Sequence, residues 1–144
     1  EEVPHVMTDA VIPAEATANN VRVTLLDTSA HPTRHEELMS KLHKADSIIA
    51  VYDCNRRETF DGLAERWLPL VQDHFPGKPV VVVCTKSDAA ETTSIVAQQE
   101  HERLKVLLST FRFVLACCRC SAKTLVNVDQ VFYHGELVIS YPLA

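Results

Sequence analysis

The sequence predicts an α/β domain, a three-layer sandwich in which helices cover both faces of a mainly parallel sheet. Three observations predict it. Short apolar runs alternate with longer segments of helical period, the sequence sign of strands joined by crossover helices. The run Pro79-Val80-Val81-Val82-Val83-Cys84 lacks the polar alternation of a strand wet on one face, so it reads as a strand buried on both. Where that run gives out stands a compact polar tetrad, Thr85-Lys86-Ser87-Asp88, and the run Phe113-Val114-Leu115-Ala116-Cys117-Cys118 likewise leads into Cys120-Ser121-Ala122-Lys123. Open α/β sheets bind their ligands at the carboxyl ends of strands.

Element by element, residues 21–26 read as a strand and 33–44 as a helix whose Leu38 and Leu42 fall one turn apart on the core side. Residues 47–52, with Ile48-Ile49-Ala50-Val51 inside, read as a central strand, and 53–57 as its polar exit loop. Residues 59–74 carry Phe60, Leu63, Trp67 and Val71 on one helical stripe, where Trp67 is core packing rather than a ligand platform. Pro69 is expected to kink or break that helix, and Pro76-Gly77 to end it. Residues 90–109 form a polar lead and a helix with Leu104, Leu107 and Leu108, and 127–139 the final helix. No repeat, linker or low-complexity tract interrupts the chain.

With 144 residues and 47% hydrophobic content, the chain suits one core, and we take 1–144 as one domain. Its net charge of -5 offers no basic field, so nucleic acid is not an expected partner. No stretch approaches the roughly 20 apolar residues of a membrane span and no signal peptide opens the chain, so we expect a soluble piece without membrane contact of its own. The 7 histidines are scattered without metal-ligand spacing and read as surface residues. Of the 5 cysteines, Cys117 and Cys120 form C-x-x-C, but strand alternation sends Cys118 and Cys120 to one face and Cys117 to the other, poor geometry for a shared metal. Cys54 and Cys84 end predicted strands, and we expect reduced core cysteines rather than disulfides.

The two polar loops suit a particular planar base. Guanine presents N1-H and an N2 amine side by side, and an ionised carboxylate accepts both. Asp88 is the candidate acceptor. Adenine offers the opposite polarity at that edge and is rejected. Lys86 and Lys123 can lay their methylene stems over the two base faces with their ammonium groups wet, and the Ala122 N-H can donate to the base carbonyl.

Thr85-Lys86-Ser87-Asp88 resembles the N/T-K-x-D guanine motif of Ras-superfamily small GTPases, and Ser121-Ala122-Lys123 their S-A-K motif. Residues 21–30, Val21-Arg22-Val23-Thr24-Leu25-Leu26-Asp27-Thr28-Ser29-Ala30, resemble the strand and D-x-x-G start of switch II. More narrowly, Glu1-Glu2-Val3-Pro4, Ile12-Pro13-Ala14, Asp27-Thr28-Ser29, Arg66-Trp67-Leu68-Pro69-Leu70 and Val131-Phe132-Tyr133 resemble the first GTPase domain of the mitochondrial Rho GTPases, the Miro family.

The resemblance implies a Ras-like fold of the P-loop NTPase class, GTP or GDP as ligand, and Mg²⁺ in the complete domain. Thr85, Lys86, Asp88, Ser121, Ala122 and Lys123 are then the nucleotide-binding residues. Asp27 reads either as a strand-end turn residue or as an indirect magnesium ligand through water. Thr8 and Thr17 read as loop residues rather than magnesium hydroxyls. Ala30 stands where D-x-x-G has glycine, and His31 where many Ras-like proteins have the glutamine that orients water, so hydrolysis is expected to be slow or partner-dependent.

A phosphate cradle, G-x-x-x-x-G-K-S/T, is absent: the glycines are Gly62, Gly77 and Gly135, none in such a setting. As the chain opens at what resembles switch I, we expect a partial domain truncated at its amino terminus; a natural pseudoGTPase interaction module is the alternative. The family resemblance further implies GTP hydrolysis to GDP in a longer parent protein with EF-hands, a second GTPase domain and a carboxyl-terminal anchor. That parent would lie at the cytosolic face of the mitochondrial outer membrane, serving mitochondrial transport and morphology through protein effectors or adaptors. A Rho or Rab protein is a third reading, weakened by the lack of a prenylation motif after Ala144.

Overall fold

The computed structural model describes residues 8–17, 19–89 and 93–140, so the motif at 1–4 and the polar lead at 90–92 lie outside the described residues. It divides into two compact units, Glu1–Asp46 and Ser47–Ala144.

In the first unit, β1 (Ala10–Ile12) pairs antiparallel with β2 (Val23–Leu25), Val11 opposite Thr24. Only β2 was expected; β1 is three residues long and ends at Pro13, too short to show a period. Between them, a 3-10 turn at Ala14–Ala16 is closed by Thr17, whose hydroxyl donates to the Ala14 carbonyl at 3.0 Å and accepts from Val21 N at 2.9 Å. A second 3-10 turn, Pro32–Arg34, leads into α1 (His35–Lys44). Glu36 and Glu37 in its first turn and Lys41, His43 and Lys44 in its last complement the helix dipole. Leu38 is buried, as the expected one-turn spacing requires.

The second unit runs β3 (Ile48–Asp53), α2 (Arg57–Gly62), a π-helical segment (Leu63–Trp67), α3 (Leu68–His74), β4 (Val80–Thr85), α4 (Ser94–Thr110), β5 (Val114–Arg119) and α5 (Val128–Ser140). The strands form a parallel sheet in the order β3-β4-β5. β4 is central, and Val80, Val81 and Val82 are 0% exposed, which requires cover on both faces. Strand alternation divides them. Val81 and Val83 join Cys120 with Val131 and Val138 of α5. Val80 and Val82 share the other face with Ile48, Ala50 and Tyr52, and there the Tyr52 ring meets Phe60 of α2 edge-on, centroids 5.2 Å apart. The register also places Cys117 beside Val82 and Cys118 beside Val83, so the cysteines alternate between faces as the sequence predicts.

The helical stretch 57–74 departs from the expected stripe in an instructive way. Phe60, Leu63 and Val71 are buried, but Leu68, 0% exposed, takes the core place expected for Trp67. The π segment is the cause: a wider turn inserts one residue, and the apolar stripe moves forward by one position. Pro69, with no N-H for the carbonyl four residues back, follows directly, and the wide turn takes up the misfit without ending the helix. Trp67 is left half-buried beneath the Arg66 guanidinium, 4.3 Å from its ring centre. The chain leaves α3 at Pro76-Gly77, where Gly77 has φ +88°, a conformation that disfavours a Cβ.

This phase shift is measurable. Leu68→Ala should cost roughly 2–5 kcal/mol of unfolding free energy in urea titrations, whereas Trp67→Ala should cost less than half of that; equal losses would mean the stripe runs in unbroken α-helical phase.

Candidate functional site

The loops after β4 and β5 are stitched together by the chain itself. Cys120 N donates to Cys84 O at 2.8 Å, and Ser87 N donates to Cys120 O at 3.1 Å. Parallel neighbours leave the sheet at the same edge, so Thr85–Asp88 and Ser121–Lys123 come side by side although distant in sequence. Beneath them lies Ser121, 0% exposed. Its hydroxyl donates to Asp88 Oδ1 at 2.6 Å and accepts from Thr124 N at 3.2 Å, so both its capacities are met. Ser121 N also donates to Val126 O at 3.0 Å, folding 121–126 into a compact turn. Above this floor Lys86, Asp88, Ala122 and Lys123 are exposed, and Thr85 is half-buried. Asp88 is thus aimed by a hydroxyl bond on one oxygen while remaining open to solvent, the state in which a carboxylate can receive a pair of donors.

Both loops carry strained backbone. Lys86, Leu125 and Asn127 have φ of 60°, 62° and 58° without being glycine. Such residues cost about 1–3 kcal/mol each and persist only where surroundings hold them. Asn127 tolerates the conformation well and donates from Nδ2 to Arg119 O at 3.0 Å. Lys86 is held by the loop that leaves β3: Asn55 Nδ2 donates to Lys86 O at 3.3 Å, and Lys86 Nζ lies 3.0 Å from Asp53 Oδ2. Asp53 is in turn fixed by Asn55 N, which donates to Oδ1 at 2.9 Å. That backbone N-H, with the Lys86 ammonium, holds the Asp53 carboxyl below its ordinary range. Sequence reasoning missed both Asp53 and Asn55. Asp53 stands opposite Thr85 in the parallel register, and the only signal was a polar residue at a strand's carboxyl end.

The expected switch residues belong to the first unit. Lys41 Nζ donates to the Asp27 carbonyl at 2.7 Å and to Asp9 Oδ1 at 3.1 Å, fixing the exit of β2. His31 caps the turn Pro32–Arg34: its Nδ1 accepts from Thr33 N at 3.3 Å and lies 2.8 Å from Thr33 Oγ1. Ala30 is exposed beside it.

A profile described as Ras family matches residues 6–139, nearly the whole chain. The chain belongs to the Ras family. Three proteins named Mitochondrial Rho GTPase 1 are similar to it. That of Cryptococcus neoformans var. neoformans serotype D (strain JEC21 / ATCC MYA-565) is 32% identical over 99% of this chain and 21% of its own length. That of Arabidopsis thaliana is 29% identical over 97% and 21%, and that of Caenorhabditis elegans 28% over 99% and 22%. This Ras-family chain therefore spans about a fifth of the length of those relatives.

Two cysteines correct the expectation of fully reduced thiols. Cys54 and Cys84 form a disulfide with Cα atoms 5.3 Å apart. Each looked like an isolated strand-end thiol in sequence, but the register pairs Tyr52 with Cys84, and Cys54 N donates to Thr85 O at 3.0 Å, so the two side chains meet. Glu100 lies near these sulfurs, all within 4.8 Å, yet its Oε1 accepts from the Tyr52 hydroxyl and its Oε2 from Arg119. With the sulfurs bonded and the carboxylate engaged, the group has no ligand set for a metal. Burial, then the Glu100 carboxylate, push the Tyr52 phenol up. Burial, then Cys118, push the Cys117 thiol up to about 11, and burial, then Cys120, raises the Cys118 thiol, so the neutral form of both is favoured at pH 7.

The Asp53 carboxyl sets a pH signature. Its folded value is depressed, so its stabilising contribution is complete above the unfolded value near ~3.9 and is lost as pH falls through the folded value. Unfolding free energy measured by urea titration between pH 6 and pH 3 should fall at the acid end, and Asp53→Asn should flatten part of that fall; identical slopes would mean the carboxyl is unperturbed.

Proposed function

We propose that this chain is the guanine-reading part of a Ras-family GTP-binding domain in a mitochondrial Rho GTPase of the Miro type. The observation that supports it best is the Ser121–Asp88 hydrogen bond of 2.6 Å, which joins the two base-reading loops in one site with the Asp88 carboxylate facing solvent. In this reading Asp88 accepts guanine N1-H and N2-H, the Ala122 N-H donates to the base carbonyl, and the stems of Lys86 and Lys123 cover the ring faces. Thr85 and Ser121 shape the loops beneath.

In this reading Asp27 would offer one hard oxygen to Mg²⁺, a cation that keeps several of its waters when bound. Ala30 and His31 occupy the catalytic loop in this reading, and an imidazole nitrogen already engaged with Thr33 suits slow turnover that depends on a partner. The relatives' name, Mitochondrial Rho GTPase 1, supports association with mitochondria, and this reading extends it to a role in mitochondrial transport and morphology. Among the described residues no helix is long and apolar enough to cross a membrane.

Two measurements test this reading. In the full-length protein, calorimetry should show GDP bound in strong preference to ADP, and Asp88→Asn should shift preference toward xanthine nucleotides by exchanging one acceptor for a donor; equal binding of ADP and GDP would end the guanine reading. Residues 1–144 alone should bind GTP very weakly, because no phosphate loop within them meets the triphosphate charge; submicromolar affinity would overturn that.

A further inference from the structure

The loop leaving β3 grips Lys86 in a way the base-reading motifs do not require. The Lys86 ammonium lies 3.0 Å from Asp53 Oδ2, with the lysine side chain 64% exposed and the aspartate side chain 10% exposed. The carboxylate is the anchored partner and the lysine the docked one. Asp53 is fixed from several sides: its N-H donates to Thr59 Oγ1 at 2.8 Å, and its Oδ1 accepts from Asn55 N at 2.9 Å and Asn55 Nδ2 at 3.3 Å. Asn55 Nδ2 also donates to the Lys86 carbonyl at 3.3 Å. Lys86 is therefore held at its backbone and at its side-chain tip by the same short segment, which is itself tied to β4 through Cys54.

A lysine stem that must lie along a base normally gives up its rotamer freedom when the ligand binds. One tied at both ends has given it up beforehand, and the ordering cost is removed from binding. We propose that Asp53 is a positioning residue for guanine recognition: through its ion pair with Lys86 it holds the lysine stem in place as one wall of the base site. This rests on the reading of 85–88 and 121–123 as the base loops. Asp53 acts through Lys86 alone and leaves the base edge to Asp88, so its effect is the same for guanine and for a base lacking the N2 amine.

The test measures displacement of a fluorescent GDP from the full-length protein by GDP and by inosine diphosphate. Asp53→Asn should weaken both by the same factor, roughly 3- to 10-fold, the scale of a hydrogen-bonded pair with one exposed partner. Asp53→Glu, which keeps the charge, should recover part of the loss. On a Lys86→Met background, Asp53→Asn should cause no further change, a coupling that a general structural defect would not produce. An undiminished effect on that background, a change in the GDP to inosine diphosphate ratio, or unaltered GDP affinity in Asp53→Asn would each overturn the inference. If Asp53→Asn does not fold, Asp53→Ser runs the same cycle under the same criteria. Failure of the unaltered protein to bind any guanine nucleotide would overturn the functional reading and this inference with it, whereas normal binding with an unaltered variant overturns the inference alone.

Discussion

Everything at the candidate site depends on the parallel register of the central strand. β4 is hydrogen-bonded on both edges and its valines are closed to solvent on both faces, so its position relative to β3 and β5 admits no slip without moving a whole buried set to the wrong side. That register brings three exits to one edge of the sheet: Asp53–Asn55 after β3, Thr85–Asp88 after β4 and Cys120–Lys123 after β5. Cys120 N on Cys84 O and Cys54 N on Thr85 O extend the ladder pattern past the strands and carry the sheet's rigidity into the loops.

Rigidity of this kind is what allows strained, exposed loops to keep one shape. Lys86 and Leu125 sit in a backbone region that side chains disfavour, and the site offsets that cost with fixed polar contacts rather than with burial. Ser121 is the pivot on one side, fully buried and satisfied as donor and acceptor, and Asp53 on the other, mostly shielded and charge-paired. The result is a surface whose reactive groups face water while the groups that aim them do not. A binding site needs that division, because a group that must desolvate and reorient at once loses affinity to both.

The π segment applies the same economy in the helical layer. Instead of breaking at Pro69, the helix widens by one residue before it, keeps its carbonyls near partners, and passes the core position from Trp67 to Leu68. The half-buried indole released by that shift is covered by its neighbour Arg66.

The alternation of strands and helices, the doubly buried valine strand and the two polar loops at strand ends were all legible in the chain, because each is a local pattern of residue type and period. The alternation of Cys117 and Cys118 between faces was legible for the same reason, since a strand's period of two is independent of its neighbours. Three features were not. The move from Trp67 to Leu68 needed the hydrogen-bond pattern of the helix, which a stripe of apolar letters does not specify. The pairing of Cys54 with Cys84 and the grip of Asp53 on Lys86 needed the cross-strand register, which joins residues about thirty positions apart. By itself the sequence determined which residues could form the strands and which polar types stood at their ends; only the tertiary structure decided which ends met, because hydrogen bonding between strands and burial of the sheet's two faces act between segments that no local pattern connects.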